Sequence, residues 1–284
     1  MQRHIQEHSI AAMSRVLLVT RQGYYAWRRR PPSTRARANA LLQAEIRAVH
    51  ARSRRSYGSR RVRKQLMRDG YCVGRHRVAR LMAEDGLRTK RTPRFRVTTD
   101  SRNTRVVHDN ILARDFAVGT PNRAWCGDIT YLWTREKWLY LAVVMDLGSR
   151  RVVGWSFRDT LETELVTSAL DMALGLRPVT AGLICHSDRG SQYGSADVQA
   201  MIARYHLRGS MSRKGNCWDN AVVESFFATL KTELVADSRW DNHVDVISAV
   251  VSWIEGWYNR ERLHSTLGDV SPAEFEAQIA TKTH

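Results

Sequence analysis

The spacing of apolar residues changes character near residue 121. Before it, apolar positions recur at three- and four-residue steps, the period of a helix with one buried face. Leu42, Ile46 and Val49 predict a helix over 39–51. Ser59 reads as the N-cap of a second helix, which turns Val62 and Leu66 inward and stops at Gly70. A third helix begins after Gly74, buries Val78, Leu81 and Met82, and ends at Gly86. The tight Gly70-Tyr71-Cys72-Val73-Gly74 connection suits a helix-turn-helix. Residues 14–32 predict one further short helix, closed by Arg-Arg-Arg-Pro-Pro.

Residues 87–120 have little periodicity and read as an extended linker with a basic first half. Beyond them the pattern alternates. "RAWCGDITYLW" predicts a strand with Trp125, Gly127, Ile129, Tyr131 and Trp133 on one face and Asp128 and Thr130 on the other. "KWLYLAVVMDLGS" and "RRVVGWSFRD" predict two more strands, joined by short turns into an antiparallel meander. A helix over 163–176, a strand ending at Asp188, a helix over 195–205 and the short strand "LRGSMS" follow. "NAVVESFFATLKTEL" is a helix with Val223, Phe226, Phe227, Leu230 and Leu234 as its apolar stripe, and "HVDVISAVVSWIEGWYN" is another core-facing helix. The expected fold is α/β, with helices on the faces of a mixed sheet behind a small all-α unit. The expected division is an N-terminal helical segment over 1–38, a basic helix-turn-helix unit over 39–90, a linker over 91–120, a core over 121–236 and a helical extension over 237–284.

Charge sharpens this division. The 284-residue chain carries a formal net charge of +17. Residues 1–100 hold 25 Lys/Arg against 6 Asp/Glu, and residues 101–284 hold 20 against 22. The excess therefore sits entirely in the front third, where it attracts polyanions. Without a lipidation motif or an amphipathic anchor, nucleic acid is a better partner than a membrane surface. Arg60, Arg61 and Lys64 on the second helix and Arg75, His76, Arg77 and Arg80 on the third are the expected DNA contacts. The same arginines would also serve as the solvated face of a small helical bundle. The four cysteines lie too far apart for a zinc site or redox motif and read as small core residues. No apolar run approaches the roughly 20 residues that span a bilayer. The N-terminus makes a poor signal peptide, so a cytoplasmic home, close to the nucleoid, is expected.

Three acids stand out among the core elements. Asp128 lies mid-strand, Asp188 ends a later strand, and Glu224 falls off the apolar stripe of its helix, with 35 residues between it and Asp188. Asn220, four back, and Lys231, seven on, share the face of Glu224. Singly, Asp188 is also readable as a turn residue, Asp128 as a salt-bridge partner and Glu224 as a solvated position. Converging without matching arginines they would repel one another, an arrangement that divalent cations would relieve. Asp146 reads as structural. His186 and His264 stand outside the triad, and Trp125, Trp133, Trp138 and Trp155 are expected in the core rather than stacked on bases.

"WCGDITYLW", "HSDRGSQYGS", "NAVVESFFATLKTEL" and "YNRERLHSTLGDVSPAEF" together resemble an integrase-core transposase, the OrfB type of the bacterial insertion-sequence-three family, over about residues 40–280. The resemblance takes in "YGSRRVRKQL…YCVGRHRVARLM", the 35-residue gap and the lysine seven residues after the glutamate. It implies an RNase H-like core with a mixed five-stranded sheet. Asp128, Asp188 and Glu224 become the catalytic triad holding two Mg²⁺ ions (Mn²⁺ substituting), and Lys231 a contact to DNA near a terminal phosphate. The implied chemistry is hydrolysis at an element end, releasing a 3′-hydroxyl, then attack by that hydroxyl on another phosphodiester. The implied partners are double-stranded DNA of the terminal repeats and target, an upstream small DNA-binding protein or its frameshift fusion, and further copies of the chain as a homo-oligomer on DNA. One departure stands out: related retroviral integrases carry a zinc-binding His/Cys unit where this chain has a basic helix-turn-helix. A DNA-binding regulator with an inactive core and a structure-specific nuclease on the same core are the competing readings.

Overall fold

The computed structural model describes residues 1–90, 106–116, 118–214 and 216–282. The expected linker therefore falls outside the described residues at 91–105 and 117.

The front of the chain folds as short helices whose ends follow local chemistry. The single helix expected over 14–32 is two, α1 (Ile10–Val16) and α2 (Arg21–Arg29). Leu18 adopts a left-handed φ of 53° between them. Each helix has its own hydroxyl cap, Ser9 accepting from the Ala12 N–H and Thr20 from that of Gly23. Helix α3 (Thr34–Arg52) starts earlier than its apolar stripe, because Ser33 caps it through the Ala36 N–H. Helix α4 (Ser59–Arg68) takes Gly58 rather than Ser59 as its N-cap, and α5 (Arg75–Glu84) takes Gly74. Gly70, at φ 90°, closes α4 in a conformation that a side chain would strain. Val62, Leu66, Val78 and Leu81 are fully buried between α3, α4 and α5.

The core is a five-stranded mixed sheet. Strands β1 (Ala124–Trp133), β2 (Trp138–Asp146) and β3 (Val152–Arg158) form the antiparallel meander. Strand β4 (Ile184–Ser187) pairs parallel with β1, and β5 (Arg208–Met211) parallel with β4, giving the order β3-β2-β1-β4-β5. Parallel pairs need crossovers. These are α6 (Thr163–Leu176) between β3 and β4, and α7 (Ala196–Arg204) between β4 and β5. Trp125, Val144, Leu165 and Val198 share the core on that face. Gly154 lets α6 settle onto β3, since a Cβ there would overlap the Ala169 carbonyl oxygen.

The opposite face of the sheet packs against α8 (Ala221–Leu230) and α9 (His243–Val251), while α10 (Pro272–Lys282) is tied on through Glu276, which pairs with Arg151 and Arg177. Both α8 and α9 run on into wider π turns, over Lys231–Val235 and Ser252–Tyr258. Leu42, Val62 and Leu66 of the front helices belong to one continuous core with Cys126, Phe226, Trp253 and Tyr258. The Tyr57 hydroxyl accepts from the Leu263 N–H at 2.6 Å, and Lys64 and Arg68 pair with Asp269 and Glu274.

The alternation along β1 holds, but its faces differ from expectation at the far end. Trp125 is fully buried, whereas Trp133 is 56% exposed and Trp138 44%. The two indoles form the last rung of the β1–β2 ladder, beyond the reach of β3 and β4, and meet edge to face at 4.7 Å. They are not core residues. Trp155 is half-buried and donates its Nε1 proton to Glu255.

Glu233, in the π turn after α8, accepts from Arg262 Nε and from Trp257 Nε1, each at 2.9 Å, with the ion pair almost wholly buried. Removing one partner of a buried pair strands the other charge. Glu233→Ala is expected to cost about 3–5 kcal/mol of stability in urea unfolding.

Candidate active site

Asp128 and Asp188 come together through strand register. The parallel pairing of β1 with β4 runs Cys126 to His186 and Gly127 to Ser187, so the next rung sets Asp128 beside Asp188 where the strands separate. Each carboxylate is tied to its own backbone, Asp128 Oδ1 accepting from the Ile129 N–H at 2.8 Å and Asp188 Oδ1 from the Gly190 N–H at 2.9 Å. Arg189 sends its Nε proton to the Ser212 carbonyl at 2.7 Å.

The glycine that follows, Gly190, does not adopt a left-handed φ. Its role is close approach: a Cβ there would stand 2.9 Å from Asp188 Oδ1. Gly127 works the same way on the next strand, where a Cβ would meet the Tyr193 ring at 3.2 Å.

Helix α8 brings the third acid. Its apolar stripe (Val223, Phe226, Phe227, Leu230) is buried, while Glu224 on the adjoining face is half-buried and electrostatically coupled to Asp188 and Asp128. Asn220, on the same face, accepts the Cys126 thiol proton at 2.6 Å and so fixes α8 against β1 one pleat from Asp128. Lys231 stands over the Tyr131 ring at 4.9 Å, and its charge favours an ionised Asp128.

Burial first, then mutual repulsion, governs the protonation of these groups. Desolvation and the neighbouring Asp188 and Glu224 push the Asp128 carboxyl well above the ordinary carboxylate range, against the Ile129 N–H and Lys231. Desolvation raises Asp188 too, opposed by the Gly190 N–H, and desolvation with Asp188 raises Glu224. Burial lowers Lys231, and Asp128 opposes that shift. Three acids thus face one ammonium.

This donor set suits a hard divalent cation such as Mg²⁺, which takes carboxylate oxygens and keeps places for water and phosphate. Among the described residues no three His, Cys, Asp or Glu side chains surround a single point closely enough to hold one ion together.

Two neighbours escaped the sequence reading. Tyr193 is buried against the acids, and burial with the charges of Asp128 and Asp188 drives its phenol pKa well up. Asp219, fully buried just ahead of α8, accepts from Arg213, Arg114 and Asn110, and these guanidinium bonds hold its carboxyl far below the usual range. It clamps the 106–116 segment to the entry of α8. Nothing in the spacing of Tyr193 announces its place, and for Asp219 only Arg213 is near in the chain, since Asn110 and Arg114 arrive through tertiary contacts.

Other candidates resolve as structural. Asp146 is fully buried and accepts from the Asn122 and Ser149 N–H groups. His186 sits between the Ser210 and Ser212 hydroxyls, and burial lowers its pKa to about 4. Among the basic residues of the front helices, Arg60, Arg75 and His76 are exposed. Arg77 donates to Asn39, Arg80 pairs with Glu84, Lys64 with Asp269, and Arg61 lies over the Tyr57 ring.

A carboxyl whose folded pKa is raised destabilises the fold once ionised. The penalty is absent below the unfolded value of about 3.9 and grows as pH rises toward the folded pKa. In EDTA, Asp128→Asn is therefore expected to melt above wild type near pH 8, with the gap closing toward about pH 4. Added Mg²⁺ is expected to raise the wild-type Tm and leave that of Asp128→Asn where it was.

Family models for an integrase core domain match residues 119–217 and 205–272, and a model for an HTH-like domain matches 36–95. The chain is 44% identical over 263 residues to the insertion element IS600 uncharacterized 31 kDa protein of Shigella sonnei, covering 93% of this chain and 97% of that one. It is 43% identical over 277 residues to the transposase InsF for insertion sequence IS3A of Escherichia coli K12, covering 97% and 96%. The HTLV-2 integrase catalytic core domain, solved in complex with magnesium, aligns at 19% identity and a TM-score of 0.43 over 55% of this chain and 97% of its own. With relatives of this identity matched nearly end to end and an integrase core spanning the whole sheet, the chain belongs to the insertion-sequence-three family of transposases, enzymes that cut and join DNA strands.

Proposed function

We propose that the transposition carried out by this chain runs through Asp128, Asp188 and Glu224 as a metal-binding triad that cuts at the ends of its element and joins the freed 3′-hydroxyl to target DNA. The observation that carries the reading is the meeting of three half-buried carboxylates, each raised in proton affinity, opposite a single ammonium. A site of that charge is out of balance until cations enter it.

Asp128 would be shared between two Mg²⁺ ions, or Mn²⁺ in their place, with Asp188 and Glu224 each completing one. Bound there, the ions would activate the attacking oxygen and offset charge on the leaving one. The chain's own groups do the positioning. The Ile129 and Gly190 N–H groups each hold one carboxylate oxygen in place, leaving the other oxygen of each acid for the site. Lys231, desolvated over Tyr131, is set to meet a phosphate of the terminal nucleotide. In the first step water adds to phosphorus and the P–O3′ bond breaks, giving a 3′-hydroxyl and a 5′-phosphate. In the second the 3′-hydroxyl adds to a target phosphorus, its proton leaves, and the target's own 3′-oxygen departs.

Double-stranded DNA would lie against the exposed Arg60, Arg75 and His76, with Arg77, Arg80 and Lys64 exchanging an internal partner for phosphate. Two element ends held together call for more than one copy of the chain, and an upstream DNA-binding protein or its fusion would join them. Among the described residues no helix is long and apolar enough to cross a membrane, which fits work on DNA in the cytoplasm beside the nucleoid.

The test uses labelled duplex from the element's ends with Mg²⁺. Wild type is expected to nick and join, and Glu224→Gln to bind equally but lose both steps by on the order of a hundredfold or more. Nicking without joining would favour a nuclease, and cutting that survives in Glu224→Gln would remove that residue from the triad.

A further inference from the structure

Around α8 from Glu224, on the side that faces away from the acids, lies a second polar site. It is a cavity of about 290 Å³ bounded by α4, the turn between β2 and β3, α8 and the segment after the second π turn. Its basic lining is Arg61, Arg150, Arg262 and a neutral His264, with Ser225 and Thr266 at its sides. At roughly 30 Å³ for a water molecule, there is room for a phosphate group and several waters.

The donors in this cavity outnumber their partners. Arg262 is 6% exposed and His264 8%, so both are held by the fold and not by solvent. Arg150 donates one nitrogen to the Phe116 carbonyl at 3.0 Å, while its Nη1 is buried with no partner, as is His264 Nε2. Arg61 and Arg262 stack over Tyr57 and Tyr258 at 5.6 and 5.9 Å, which orients their guanidinium planes. Among the described residues no carboxylate stands within ion-pair distance of Arg61 or Arg150. Glu233 lies behind the site, already engaged by Arg262 Nε and Trp257, and Asp269 is paired with Lys64.

The arginines feel one another. Burial and then Arg262 depress the proton affinity of Arg61, and burial with Arg262, Arg61 and Arg150 depresses that of His264. A half-buried cluster of this kind is unfavourable by itself. A buried guanidinium nitrogen without a partner, on a side chain that lines the cavity, is a donor that a small shift would bring to an acceptor.

From this geometry we propose that the cavity is a phosphate-binding site that takes a backbone phosphodiester of the DNA. Donors converge from four separate elements, which suits a tetrahedral group with several oxygens better than a planar carboxylate. Arg61 sits one residue from the exposed Arg60 on α4, so the site continues the basic surface of the front helices into the core. An occupied site would lock α4, α8 and the C-terminal segment together, linking the grip on DNA to the helix that carries Glu224. The inference rests on the transposase reading for its choice of DNA, but its test does not use the acids.

The full-length protein is titrated with element-end duplex in EDTA at a series of salt concentrations, and melted in inorganic phosphate or chloride at equal ionic strength. The variants are Arg150→Gln, Thr266→Glu and a control, Val244→Glu, on exposed surface away from the cavity. Arg150→Gln and Thr266→Glu are each expected to weaken binding about tenfold and to lower the slope of log affinity against log salt by about one. The control should keep the wild-type slope. Phosphate should raise the Tm of wild type more than that of Arg150→Gln. Unchanged slopes in both cavity variants would overturn the proposal. A phosphate-dependent Tm with unchanged slopes would mean a free oxyanion, overturning the assignment to DNA. If Arg150→Gln fails to fold, Thr266→Glu, an exposed position, decides alone. Lowered slopes in the cavity variants alongside cutting that survives in Glu224→Gln would fail the triad and leave the phosphate site standing, so the two failures give different results.

Discussion

The parallel pairing of β1 with β4 is the constraint on which the rest depends. Because register matches Gly127 with Ser187, two aspartates sixty residues apart become neighbours at the point where the strands part. Hydrogen bonding pays no attention to the charge it brings together. The sheet thereby imposes a repulsion that the side chains around it do not cancel, and Lys231 offsets only part of it. Glycines at 127 and 190 keep the space around both acids free of Cβ atoms, which lets Tyr193 and the Asp188 loop close in.

Helix α8 is shared by two environments. One face carries Asn220, Glu224 and, in the turn beyond, Lys231 toward β1 and β4, and the stripe beside it is buried in the core. The remaining face, with Ser225 and Thr229, lines the arginine-rich cavity. At its start, the Asp219 clamp draws in Arg114 and Arg213, and at its end the buried Glu233–Arg262 pair ties the π turn to the C-terminal segment. Both ends of the helix are held by ion pairs, so a shift in either would carry Glu224 with it.

Much of the molecule was legible along the chain. The helix-turn-helix helices, the meander and the succession of helix and strand after it follow from apolar spacing, because each element buries one face and repeats at its own period. The acids proposed as a triad stood out only as a set, through resemblance, since each acid alone has an ordinary reading. Errors fell where local pattern meets a boundary. Residues 14–32 are two helices because Leu18 turns left-handed and Thr20 recaps the chain, and Trp133 and Trp138 are exposed because the β1–β2 ladder outruns β3 and β4.

By itself, then, the sequence determined the class of fold, the basic front and near-neutral back, and which acids and lysine were candidates, since composition and periodicity are local properties. The tertiary structure decided what those candidates meet. It set Asp128 against Asp188 by register and gave Asp219 and Tyr193 their places beside α8 and the acids. It also gathered Arg61, Arg150, Arg262 and His264, spread over 204 residues, around one cavity. Such encounters join residues far apart in the chain, and their energies depend on burial and on neighbouring charge, neither of which is present until the chain has folded.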